Sequence, residues 1–220
     1  LLSGINGTFA GKRRAAVPVP ESDRQTPPVA CQSAAAPELP ATPLEAQIMS
    51  TTETLTGERA DLAKALDKQR EFLRYTARGL TDEQAAQRTT VSELCVGGII
   101  KHVTDTERQW ARFIVDGPSA AGDWQDPGYL QNWLDGFRML PGETLAGLLT
   151  EYEATARVTD KLVAGHDLDA GHPLPEAPWY EKGASWTARM ALLHVLAETA
   201  QHAGHADIIR EAIDGQKTMG

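Results

Sequence analysis

A chain of 220 residues with 41% hydrophobic content can bury one core of ordinary size and not two large ones. Its formal net charge of -9 and sequence pI near 5.1 leave no basic cluster beyond Lys12, Arg13 and Arg14, which argues against nucleic acid as a partner. Two cysteines far apart, Cys31 and Cys95, exclude a disulfide framework and a cysteine-based zinc site, so a reducing cytoplasm is the expected setting. No apolar run approaches ~20 residues and no charged n-region precedes an apolar h-region, so a soluble protein without a membrane association is expected.

Leu1 to Ile48 holds seven of the thirteen prolines (18, 20, 27, 28, 37, 40, 43) and no tryptophan. Its basic and acidic residues balance, so the whole negative charge belongs to Met49 onward. With few large apolar side chains and no periodicity, this stretch cannot bury enough surface to offset its chain entropy, and residues 1–48 are expected to be a disordered leader or tail. Met49-Ser-Thr-Thr-Glu-Thr resembles an ordinary protein start, so 49–220 is expected to be the folded domain.

From Thr56 the pattern becomes helical: Leu62, Leu66, Gln69, Leu73, Thr76 and Leu80 follow a period near 3.6, and Gly79 closes the helix. Thr81-Asp-Glu-Gln84 has the form of a capping box. A second long helix is predicted from about Ser92 to Val115, with Val96, Ile99, Ile100, Val103, Trp110, Ala111 and Ile114 as its core stripe, stopped by Gly117-Pro118. His102 lies on the flank of that stripe. One turn before it, Gly97 and Gly98 cost about 1 kcal/mol each in helix propensity, which means that a neighbouring element or a ligand approaches the backbone closely.

Asp116 to Gly142 reads as a long connection with Trp124, Tyr129, Trp133 and a short helix around Leu130 to Met139. A third long helix follows Pro141 and ends at Gly165, with Leu145, Leu148, Leu149, Tyr152, Ala156, Leu162 and Val163 on one face and no evident chemistry. His166 and His172 fall in a proline-rich loop, where surface placement is expected. Ser185 is the expected N-cap of a fourth helix that is apolar almost all round and therefore expected at the centre of the bundle. Four long helices without a clear strand run define an all-α, four-helix bundle.

The fourth helix carries His194, Glu198, His202 and His205 at spacings of four, four and three. With His194 at zero, they lie at roughly 40°, 80° and 20° round the helix, all on one narrow face, and adjacent members are close enough to grip one ion. Ile209 and Ile213 continue the strip, so the polar run faces inward. A buried carboxylate without a partner costs several kcal/mol, and a divalent metal removes that cost.

The run His194-Val-Leu-Ala-Glu198-Thr-Ala-Gln-His202-Ala-Gly-His205-Ala-Asp207, together with Gly97-Gly98-Ile99-Ile100-Lys101-His102, resembles the DinB-like superfamily of four-helix metalloproteins, in its actinobacterial branch of mycothiol-dependent enzymes. The resemblance implies a metal held by His102, Glu198 and His202. Most members use three histidines; Glu198 gives the His/Glu/His variant seen in mycothiol-dependent maleylpyruvate isomerase. Zinc is the metal implied first, and two histidines with one carboxylate also suit iron or nickel. Three protein ligands leave a position open, as in catalytic sites. The implied chemistry is S-transfer or isomerisation in which mycothiol, activated on the metal, attacks an electrophile, with His205 and His194 as candidate catalytic or orienting groups. A homodimer is compatible with the resemblance. The alternatives at this stage are a DinB-like metalloprotein with hydrolytic or other metal-dependent activity, and a non-catalytic, stress-related binding bundle.

Overall fold

The computed structural model describes residues 55–120 and 126–218. The expectation of a disordered leader over Leu1 to Ile48 lies outside the described residues, as do Met49 and Trp124. Four long helices dominate: α1 (Gly57–Ala77), α3 (Val96–Asp116), α5 (Leu145–Gly165) and α6 (Ala188–Asp214). Short helices α2 (Asp82–Ala85) and α4 (Tyr129–Asp135) lie in the connections, and a 3-10 turn (Gly117–Ala120) follows α3. The long helices pack in the cyclic order α1, α6, α3, α5, the all-α four-helix arrangement that the periodicity predicts. Among the described residues no helix is long and apolar enough to cross a membrane.

Most of the local signals act as their chemistry dictates. Thr81 and Gln84 form the predicted capping box at α2, and Gly117, at φ +70°, closes α3. Helix α3 begins at Val96 and not at Ser92. The Thr90 and Ser92 hydroxyls take the amides of Ser92 and Leu94 into local turns, and the Cys95 sulfur then caps the helix through the Gly98 amide. At the fourth long helix the cap is Thr187, whose hydroxyl accepts the Met190 amide; Ser185, the expected cap, lies in a strand.

That strand is a second departure from the sequence reading. Gly171–Pro173 (β1) pairs antiparallel with Ser185–Thr187 (β2), setting His172 opposite Trp186. Three-residue strands, one with a proline, carry too little alternation to be read in advance. His172 reaches back from β1 to the Ile114 carbonyl, 3.2 Å away, so it is half-buried and not a surface side chain. His166 is half-buried too, at the C-terminal cap of α5. Helix α6 sits at a corner of the bundle like the other three, leaving Met190, Leu193 and Ile208 exposed.

The core is divided. One apolar cluster gathers Leu73, Val96, Ile99, Ile100, Leu148 and Ile209, the other Leu66, Trp110, Phe113, Val163, Leu192 and Val195. Between them runs a polar layer drawn from all four long helices. Arg70 of α1 donates to Glu107 of α3 at 2.5 Å and to Asp160 of α5 at 2.8 Å. Arg70 and Glu107 are 1% and 0% exposed, so neither charge has water to fall back on. Thr155 and Thr159 of α5 and Thr199 of α6 are buried as well. Tyr152 belongs to this layer beside Glu107 and Thr199; its hydroxyl is buried, and burial first, then the Glu107 charge, pushes its phenol well up. Helix α5, read as chemically silent, therefore supplies the half-exposed Asp160 that takes the outer side of the Arg70 guanidinium, and the buried Tyr152, Thr155 and Thr159.

Candidate metal centre

Two facing helices build the site. His102 projects from α3, and Glu198 and His202, one turn apart, project from α6. His102, Glu198 and His202 each offer one ligand atom within 4.8 Å of the others. The Glu198 Oε2 lies 3.8 Å from His102 Nε2 and 3.6 Å from His202 Nε2. These separations exceed those of hydrogen bonds. They approach the ~3.4 Å between donors that share a tetrahedral ion at ~2.1 Å.

Electrostatics point the same way. The imidazoles of His102, first, and His202 hold the Glu198 carboxyl well below the usual carboxylate range, against an opposing effect of burial. The carboxylate is therefore ionised at neutral pH in a half-buried position, with no lysine or arginine paired to it among the described residues. An ionised oxygen between two imidazole nitrogens, none close enough to hydrogen bond, is a donor set that fits a divalent cation.

His194 and His205 flank the three. His205 Nδ1 lies 3.4 Å from His202 Nδ1, so one ring donates to the other and the Nε2 of His202 is left facing Glu198. His194 Nε2 lies 4.0 Å from the second Glu198 oxygen. Its ring sits between Trp110, met edge-on at 5.1 Å, and Trp186, tilted at 5.2 Å. Burial pushes the His194 imidazole down, outweighing the pull of Glu198, so it stays neutral at pH 7. The structure thus keeps His194, Glu198, His202 and His205 on one face, while only Glu198 and His202 join His102 in the tight cluster.

The two glycines of α3 have a neighbour, and it is a stretch of chain. A Cβ on Gly98 would lie 2.0 Å from the Phe137 carbonyl oxygen, and one on Gly97 would lie 2.2 Å from Met139 Sδ. The segment after α4 therefore rests directly on α3, and Phe137 stacks on the His102 ring with centroids 4.1 Å apart. Helix α4 stops at Asp135, short of the expected Met139, because the chain must leave helical geometry to make this contact. Phe137 and Trp186 are site residues the sequence reading missed. The glycine pair was the available signal for the first; nothing local marked the second.

A four-helix bundle with a His/Glu/His cluster on two facing helices is the arrangement of a DinB-like fold. Residues 61–215 match the mycothiol-S-transferase family, and the chain belongs to that family. No curated protein is significantly similar to it. A solved structure, the crystal structure of the conserved protein of locus from Enterococcus faecalis, is 16% identical, with a TM-score of 0.51 over 74% of this chain and 100% of that one, and shares the fold.

Proposed function

We propose that this protein is a metal-dependent S-transferase that joins mycothiol to an electrophilic carbon in the cytoplasm. The observation that carries the metal reading is the ionised Glu198 carboxylate facing two imidazole nitrogens at 3.6 and 3.8 Å. The thiol and the transfer come from the family.

His102 Nε2, a Glu198 oxygen and His202 Nε2 would hold the ion, with zinc favoured and iron or nickel served by the same donors. A divalent cation bound there supplies the positive charge that lets a thiol ionise near neutral pH. Glu198 lowers the net charge of the site by one relative to a third imidazole, which keeps the sulfur electron-rich. His205 acts as a positioning residue by fixing, through the shared Nδ1 proton, which nitrogen His202 presents. His194, held neutral between Trp110 and Trp186, is the proton acceptor. The thiol proton passes to it, the S–C bond forms, and the proton is returned to the leaving group or to the carbanion left by addition.

Glu198→Gln tests this. It keeps volume and removes the charge, so it is expected to lose metal and S-transfer while retaining the helical far-UV spectrum. Glu198→His is expected to retain metal with an altered rate. Metal stoichiometry and conjugation rate with mycothiol are measured on protein purified without a metal-affinity tag. Full occupancy and unchanged activity in Glu198→Gln would overturn the donor assignment, and a metal-replete wild type inactive with every thiol would transfer the metal to hydrolysis.

A further inference from the structure

Beside the metal centre, between the lead-in to α3 and helix α4, lies a cleft of about 470 Å³. Its floor is apolar: Leu94, Leu134, Trp133 and Phe137. Trp133 and Leu134 are 48% and 46% exposed, large apolar groups left open inside a concavity. Phe137 is shared. One part of the ring meets Trp133 edge-on at 4.9 Å, while its face stacks on His102 at 4.1 Å, so the cleft and the metal centre are separated by a single aromatic ring. The Thr89 hydroxyl bonds the Ile209 carbonyl at 3.2 Å, tying the lead-in to the turn of α6 that follows His205.

The rim decides the ligand class. Arg88 is paired with Glu93, and Arg138 with Asp135, whose Oδ1 also takes the Gln131 amide at 2.9 Å. Both arginines of the cleft are thus neutralised within it, and an anionic ligand would have to break a pair to gain one. What remains is an apolar floor under a rim of donors and acceptors with little net charge. A hydroxyl both donates and accepts, so it fits such a rim from either side. The C–H faces of a sugar or cyclitol ring fit the electron-rich face of an indole.

We infer that this cleft binds a neutral, polyhydroxylated head group of the thiol substrate, with Trp133 as its platform and Glu93 and Gln131 as hydroxyl partners. The inference rests on the S-transferase reading. It places the recognised part of the thiol on one side of Phe137 and the reacting part on the other.

The test uses the full chain and N-acetylglucosaminyl-inositol, the head group of mycothiol with an acetyl group in place of its cysteine so that the amide stays neutral, in isothermal titration. Wild type is expected to bind it, and Trp133→Ala and Glu93→Ala each to weaken binding about tenfold. In S-transfer the same variants should raise KM for mycothiol by a similar factor with kcat unchanged, and leave the rate with N-acetylcysteine and the metal content as in wild type. Glu93 is held by Arg88 on the rim, so its variant probes the cleft from the side away from the Trp133–Phe137 ring contact. Failure of wild type to bind N-acetylglucosaminyl-inositol, or variants that change KM for both thiols equally or for neither, would overturn the inference. Sugar binding lost in Trp133→Ala in a protein that transfers no thiol would refute the reaction and leave the cleft; transfer from mycothiol untouched by both variants would do the reverse.

Discussion

Gly98→Ala sets two physical effects against each other. In a helix interior alanine is favoured over glycine by about 1 kcal/mol, so propensity alone makes this substitution stabilising. The structure reverses the sign. The new Cβ would lie 2.0 Å from the Phe137 oxygen, 2.4 Å from its carbonyl carbon and 2.8 Å from the Arg138 nitrogen, where ordinary contact needs ~3.5 Å. These are backbone atoms and cannot rotate away. The segment after α4 has to lift from α3, at an overpacking cost of roughly 1–3 kcal/mol, and the loss of the Phe137 stack on His102 adds about 0.5–1 kcal/mol. The net is a loss of about 0.5–3 kcal/mol, or a fall in Tm of about 1–12 °C for a domain of this size. Gly204→Ala is the internal control. It lies in α6 with nothing within 4 Å of its would-be Cβ, so it should raise Tm by about 2–4 °C. Gly97→Ala falls between, since the atom in its way is the flexible end of Met139. Thermal melts followed by far-UV circular dichroism measure all three. A Gly98→Ala protein that melts at or above wild type would refute the reasoning.

Arg70→Met strands Glu107, which is 0% exposed, and should cost about 3–5 kcal/mol in urea unfolding. Adding Glu107→Leu should recover most of that loss, and a double variant no more stable than the single would argue against a buried-charge penalty. Tyr152 gives a pH dependence. Its folded phenol is held above the ordinary value, so its contribution is fully present below about pH 10 and is lost as pH rises from there toward the folded pKa. Between pH 9 and pH 11 wild type should therefore lose more stability than Tyr152→Phe; equal losses would show that Tyr152 does not titrate differently in the folded state.

The sequence made the helices and the α6 donors readable because both depend on a single period. Glu198 and His202 at i, i+4 can only share a face, and His102 stood out through the glycines one turn before it. Gly97-Gly98 announced a close approach without saying of what, since the approaching Phe137 lies some forty residues away with no periodic relation to α3. The polar layer was hidden for another reason. Arg70 in Asp67-Lys-Gln-Arg70-Glu and Glu107 in Thr106-Glu-Arg108 look like the solvated charges of any amphipathic helix. Only the packing of α1 diagonally across from α3 and beside α5 turns them inward. Trp186 was invisible likewise: its position follows from a three-residue strand pairing, and its neighbour Ser185 offered a plausible helix cap that the chain does not use.

His102, Glu198 and His202, the proposed metal donors, stand on helices, whereas Phe137 and Trp186, which press on the surrounding histidines, belong to connections. These two kinds of chain tolerate change very differently. Inserting one residue ahead of Glu198 within α6 would swing it by about 100° and dismantle the cluster, while a connection can gain several residues for a fraction of a kcal/mol of closure entropy. Under the proposed function, the part that would hold the ion is a rigid chassis and the part that would face substrate is exchangeable bodywork. Grafting the Asp126–Gly142 stretch from one such protein onto another is thus a direct route to altered selectivity at constant chemistry, provided the glycine pair beneath it is kept.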